Sequence, residues 1–285
     1  MKQQTRSRIA SGLDRARLLG PAARVRDSWL ALRADDELTV DPDGLPLPSS
    51  RLRQLVNGRG GDAEHFLRIG AQMSATIRGA TAAAGSPIEE MDAILDFGCG
   101  CGRVARHWAD LDGPRVHGCD YNPELVDWCD GNLPFVRAAC NELAPPAPYA
   151  DGSFDLIYAL SVLSHLSEQL QREWVAEYRR LLRPGGLLVV SVLGEKATHR
   201  LTGEESERFG RGELVVERPR MEGHNACTAY HPRPFVTGSL LTDFAEVDVF
   251  DLGSPELPVM QDAYIARRPA DGASGWFLVN APEPS

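Results

Sequence analysis

Short apolar runs separated by helix-forming stretches constrain this chain more than any other feature. Residues 93–97, 116–120, 135–139, 154–160 and 187–192 form five such runs. They lack the apolar–polar alternation of a strand with one wet face, so both faces of the sheet they build must be covered. Helix signals fall between them. Asn122 offers an N-cap and Pro123 a first helical residue. Residues 167–182 predict a further helix, halted by a turn at Pro184-Gly185-Gly186. Strand and helix in this rhythm predict an α/β fold with a parallel sheet between helical layers. Residues 244–250 and 263–267 resume the strand pattern and predict two closing strands.

The flanks read differently. Residues 1–89 predict a mostly helical extension or cap. Within it, 1–35 mix Arg with Leu, Ala and Val, three prolines break the chain over 41–48, and Phe66, Leu67, Ile69, Met73 and Ile77 recur at helical spacing. Residues 90–269 make the main domain. Inside it, 195–234 lose the rhythm, contain four glycines and predict an insertion or lid over a site. Residues 270–285 form a Gly/Pro-rich tail.

Composition removes several function classes. Among 285 residues, 43% are hydrophobic and 25% charged, which excludes wholesale disorder. Forty acidic against thirty basic side chains give a net charge of −10, which opposes a phosphate backbone and argues against a nucleic-acid partner. No apolar run reaches the roughly 20 residues of a bilayer span, and no apolar segment follows Met1–Arg6 as a secretory signal requires. A cytoplasmic protein is the expectation. Five of the six cysteines fall between 99 and 140, where reduced thiols packed as small apolar groups are expected rather than disulfides.

The first chemical signal is the loop after the first strand. Gly98, Gly100 and Gly102 carry no Cβ where the backbone must turn tightly and a ligand must lie against it. Residues 103–108 predict the helix that follows, whose free N–H groups favour an anionic group. Asp120 ends the next strand 22 residues after Gly98, where a carboxylate would hold a ribose diol. Dinucleotide sites prefer G-x-G-x-x-G/A, and Arg103 stands where that third small residue belongs; the glycine comes one residue early, at Gly102. A nucleoside without a pyrophosphate fits better.

Asp96-Phe97-Gly98-Cys99-Gly100-Cys101-Gly102, then Asp120, then Ser153-Phe154-Asp155-Leu156-Ile157, then Leu182-Arg183-Pro184-Gly185-Gly186-Leu187 resembles the ordered motif series of class I S-adenosylmethionine-dependent methyltransferases, in their bacterial small-molecule branch. The resemblance covers about 90–195. It implies a Rossmann-like fold with a mostly parallel seven-stranded sheet and S-adenosyl-L-methionine as cofactor. It also implies roles residue by residue. Gly98, Cys99 and Gly100 match the loop under the methionine part, with Asp96 ordering it. Asp120 matches the ribose acid and Tyr121 the side chain against the adenine. Cys140 and Asn141 match the adenine-edge contacts, although most relatives carry Asp where Asn141 stands. Leu160 and Ser161 match the border of the methyl region.

Methyl transfer to a hydroxyl requires a base, and His165 is the candidate, five residues beyond Leu160 at the carboxyl end of the fourth strand. A capping or packing histidine remains the alternative. His224, Cys227 and His231 lie within eight residues, but no fourth ligand with zinc spacing accompanies them, so no metal is expected. Tyr230 and His231 are the expected substrate contacts. The resulting reading is methyl transfer to an oxygen or nitrogen of a small metabolite (a sugar, lipid or specialised metabolite), by a chain that a homodimer would suit. A non-catalytic cofactor-binding regulator and a sulfonium-assisted enzyme of another reaction stay open.

Overall fold

The structure is a computed structural model that describes residues 40–57 and 61–270. The helix expected in 1–35 and the tail beyond 270 lie outside those residues. Among the described residues nine strands form: β1 (Ala93–Phe97), β2 (Arg115–Asp120), β3 (Val136–Cys140), β4 (Phe154–Ala159), β5 (Leu182–Val192), β6 (Val215–Glu217), β7 (Thr228–Tyr230), β8 (Ala245–Asp251) and β9 (Asp262–Arg267). Seven of them build one sheet in the order β3-β2-β1-β4-β5-β9-β8. The pairings from β3 through β5 are parallel, and those of β5 with β9 and β9 with β8 are antiparallel. From β1 the chain winds outward to β2 and β3, then returns to β4 on the opposite side. That reversal opens a crevice at the carboxyl ends of β1 and β4, where sheets of this kind bind ligands.

Among the described residues, five α-helices of seven residues or more cover or extend the sheet: α1 (Ser50–Asn57), α2 (Ala63–Ala83), α3 (Pro123–Asn132), α4 (Glu168–Leu181) and α5 (Glu204–Gly210). Local sequence explains their starts. Asp62 caps α2 by accepting the His65 N–H at 2.7 Å, Asn122 caps α3 by accepting the Glu124 N–H at 3.1 Å, and Ser167 caps α4 by accepting the Leu170 N–H. The α4 face carrying Trp174 and Tyr178 packs on Phe97 of β1, with ring centroids 4.5 and 4.8 Å away. The other face of the sheet lies under α2, whose Ile69, Met73 and Ile77 join the apolar cluster around Ile94 and Trp108. All six cysteines are free. Among the described residues, no helix is long and apolar enough to cross a membrane.

Three segments differ from the sequence reading. The helix expected over 103–108 is only the 3-10 turn Ala105–Trp108, because Asp112-Gly113-Pro114 follows too closely for another turn. Pro184-Gly185-Gly186 is no free turn: β5 begins at Leu182, and the Gly185 N–H donates to the Arg268 carbonyl at 2.9 Å. Finally, residues 195–234, expected as an insertion or lid without the strand–helix rhythm, carry regular elements of their own. They fold into the 3-10 helix Glu195–Arg200, α5 and the β6–β7 pair around an apolar cluster of Leu193, Ala197, Leu201, Phe209, Val215 and Tyr230.

Candidate active site

A cavity of about 600 Å³ opens over the carboxyl ends of the central strands, within the size range of small-molecule sites. Its floor is the glycine loop. Gly98 and Gly100 adopt φ of 75° and 56°, a region side chains rarely enter, and a Cβ on either would stand 2.5 Å from a valine methyl, of Val162 or Val56 respectively. The loop is held from beneath. Gly98 and Cys99 N–H groups donate to the Cys119 carbonyl at 2.8 and 3.0 Å, and the Gly100 N–H donates to Asp120 Oδ2 at 3.0 Å.

Asp120 reaches the cavity wall from the end of β2. Its Oδ1 accepts the Asn122 N–H at 2.9 Å, and each oxygen keeps a lone pair for a further donor. Burial raises its carboxyl pKa, while the backbone N–H groups of Asn122, Gly100 and Tyr121 oppose the rise. Tyr121 is half out in solvent, and its hydroxyl donates to the Gly223 carbonyl. Asn141 follows β3. Its amide Nδ2 donates to the Glu142 carbonyl at 2.7 Å, which leaves Oδ1 buried on the cavity side without a hydrogen-bond partner.

At the end of β4 the backbone turns through Ser161, a non-glycine residue at φ 61°. A closed ring of hydrogen bonds holds it there. The Ser161 N–H donates to Ser191 Oγ at 2.8 Å, Ser191 Oγ donates to Gln261 Oε1 at 2.7 Å, and Gln261 Nε2 donates to Ser161 Oγ. The ring joins the ends of β4 and β5 to the loop before β9. Next comes the 3-10 turn Leu163–His165. His165 Nδ1 lies 2.8 Å from the Cys227 carbonyl, so Nδ1 carries the hydrogen and Nε2 keeps its lone pair. Burial lowers the imidazole pKa and keeps the ring neutral.

The cavity thus gathers Gly98, Gly100, Asp120, Tyr121 and Asn141 on one side and Leu160, Ser161 and His165 on the other. Other residues named from sequence stand elsewhere. Asp96, Cys99 and Cys140 do not line it. Asp96 is buried beneath the loop, where burial raises its pKa to about 7 despite hydrogen bonds from Tyr158 and the Ala105 N–H. Cys99 turns its sulfur towards Gly118, and Cys140 is exposed at the end of β3. Tyr230 and His231, expected as substrate contacts, do not line this cavity. Tyr230 is 4% exposed inside the Leu193–Phe209 cluster. His231 is fully buried, with Nε2 3.0 Å from Gln171 Oε1 on α4, and its own N–H donates to the Leu193 carbonyl at 2.7 Å. The pairing of β7 alongside the end of β5 turns both side chains inward. No group of three metal-ligating side chains assembles among the described residues.

Sequence reasoning missed the walls supplied from a distance: Val56 of α1, Ile69 and Met73 of α2, Arg200, Asn225 and Gln261. The helical spacing of Ile69 and Met73 marked them as buried, but nothing local says against what.

An open α/β sheet with a glycine loop, an acid ending the second strand and a polar crevice at the strand reversal defines a Rossmann-like nucleoside-binding domain. Residues 95–190, about a third of the chain, match a family model described as a methyltransferase domain, which supports a class I S-adenosylmethionine-dependent methyltransferase domain in that segment. The chain is similar to 27-O-demethylrifamycin SV methyltransferase of Amycolatopsis mediterranei, 30% identical over 148 residues that cover 46% of this chain and 50% of that protein. It also resembles methyltransferase GfsG of Streptomyces halstedii, 30% identical over 114 residues, 37% of this chain and 39% of that one. The chain spans half or less of the length of these curated relatives. Its fold matches the crystal structure of Burkholderia thailandensis 1,6-didemethyltoxoflavin-N1-methyltransferase with a TM-score of 0.51 and 21% identity, over 82% of this chain and 97% of that one.

Proposed function

We propose that this chain transfers a methyl group from S-adenosyl-L-methionine to an oxygen or nitrogen of a small metabolite. The observation that carries the reading is the meeting, in one cavity of about 600 Å³, of an adenosyl-compatible half and a neutral histidine. The residues fit that cofactor. Gly98 and Gly100 leave bare backbone where side chains would intrude, Asp120 offers two carboxylate oxygens to a ribose diol, and Asn141 Oδ1 has no partner until an amine supplies one. When bound, S-adenosylmethionine supplies an electrophilic methyl on its sulfonium.

The chain's own groups do the rest. The Ser161–Ser191–Gln261 ring fixes the border between the cofactor half and the acceptor half. His165 Nε2, with its tautomer set by the Cys227 carbonyl, is available to take the proton that an acceptor hydroxyl or amine must lose. Residues of α1, α2 and 223–225 cover the crevice and limit water, which strengthens the electrostatics inside. Two relatives support a small acceptor: one is named for a rifamycin precursor, and the other was crystallised with 1,6-didemethyltoxoflavin and S-adenosylhomocysteine. The net charge of −10 favours a small acceptor over a nucleic acid.

The test is incubation of the full chain with isotopically methyl-labelled cofactor and a bacterial metabolite extract, followed by mass spectrometry. A labelled methyl on one compound is the expected result. Cofactor binding without any labelled metabolite would overturn the proposal.

A further inference from the structure

We infer that the methyl acceptor carries a carboxylate and that Arg200 is the residue that holds it. This rests on the methyl-transfer reading above and names the acceptor class within it.

Charged side chains are segregated along the cavity. Its acids, Asp120 and Glu142, follow β2 and β3, whereas Arg200 closes the 3-10 helix that follows β5. In the order β2-β1-β4-β5 that is three strand steps, or about 14 Å at ~4.8 Å per step. The other cation on the wall, Arg103, lies beside Asp96 under the glycine loop. The half that suits an adenosyl group is therefore acidic, and the far half, with His165, His224 and Asn225, presents a guanidinium.

Arg200 is half-buried, yet its guanidinium makes no ion pair or hydrogen bond to a described residue. Arg137 and Arg220 share that state, but both are exposed and neither lines the cavity. No described residue supplies Arg200 a counter-charge, whereas most other described arginines of this acidic chain have found carboxylates or carbonyls. A guanidinium fork matches the two oxygens of a carboxylate through parallel N–H···O bonds. One unpaired guanidinium balances one negative charge. His165 adds none, because burial keeps it neutral, so a monoanionic carboxylate suits the site better than a phosphate bearing about −1.5 to −2. Met260, one of the large apolar side chains exposed among the described residues, also borders the cavity in the loop before β9. It provides an apolar contact for the body of an acid whose charged end reaches Arg200.

The test uses the full chain loaded with S-adenosylhomocysteine and titrated by calorimetry with benzoate, cinnamate and octanoate. The matching amides and phenyl phosphate are titrated in parallel, on the wild type and on Arg200→Gln. The expected result is at least one acid binding tenfold or more tightly than its amide, with the preference reduced to twofold or less in Arg200→Gln. Equal affinity of every acid and its amide, including no measurable binding of either, overturns the inference. So does a preference that survives in Arg200→Gln, or phenyl phosphate binding more tightly than every acid. The S-adenosylhomocysteine titration separates the two readings. A wild-type chain that does not bind it defeats methyl transfer and this inference together, whereas normal binding with no acid preference defeats Arg200 alone.

Discussion

The proposed chemistry rests on two side chains, each legible for a different reason. Asp120 stands at a fixed distance after a glycine loop, a purely local signal. It is both the proposed ribose ligand and the brace of the loop, since Gly100 and Asn122 donate to it. Removing it deletes charge-assisted hydrogen bonds worth about 1.5–3 kcal/mol each. Asp120→Ala should therefore weaken S-adenosylhomocysteine binding more than tenfold by calorimetry, and unchanged affinity would refute the ribose role. His165 was named from its position after β4, but its tautomer depends on Cys227, 62 residues away, and no local pattern encodes that bond. His165→Ala should lower kcat by about 10²–10⁴. The pH profile gives a second readout. Burial depresses the His165 pKa below the usual value, so the base stays unprotonated through neutral pH and is lost only as pH falls through that lowered value. The acid limb of kcat/KM should vanish in His165→Ala; a limb that persists would assign it to another group.

At the scale of elements, the parallel strands were readable because their runs lack polar alternation and the helices between them carry explicit caps at Asn122 and Ser167, whereas seven strands in one sheet came from the motif resemblance. The segment 195–234 was not readable, because its strands are three residues long and its apolar residues are spaced irregularly. Their burial appears only once the β6–β7 pair docks beside Leu193. His231 takes part in that docking. It ties the end of β7 to Gln171 of α4, and burial depresses its pKa to about 3. The unfolded chain takes up a proton near pH 6.5 that the folded chain refuses until about pH 3. Stability contributed by this group is thus complete above 6.5 and falls as pH drops towards 3. Between pH 7 and pH 5 the loss attributable to it is about 2 kcal/mol. His231→Gln should cost stability at pH 7 and show a correspondingly smaller drop on going to pH 5, as read from urea midpoints. An identical pH dependence in variant and wild type would show that this histidine is hydrated in solution.

For the whole molecule, the open matter is how a helical extension becomes one wall of a site built on the sheet. Residues 41–48 looked from sequence like a proline-broken connector, and nothing local announces what they grip. The grip is Arg106, 65 residues further on, in the 3-10 turn after the glycine loop. Asp41 Oδ2 accepts from its Nη2 at 2.7 Å and its Nε at 3.2 Å, and the two side chains are 3% and 0% exposed. Asp41 Oδ1 accepts the N–H groups of Asp43 and Leu45 at 2.9 and 2.8 Å, and Arg106 Nη2 also donates to the Pro46 carbonyl at 3.0 Å. A buried pair of this kind adds little net stability, because desolvation offsets the attraction, but breaking one side leaves a stranded charge. Asp41→Ala should therefore cost about 3–5 kcal/mol in urea unfolding. Asp41→Leu combined with Arg106→Met should recover most of that loss, since neither charge then remains. The pair of variants separates a clasp from mere packing: a double variant as unstable as the single one would mean that shape, not charge, joins the extension to the loop beneath the cofactor crevice.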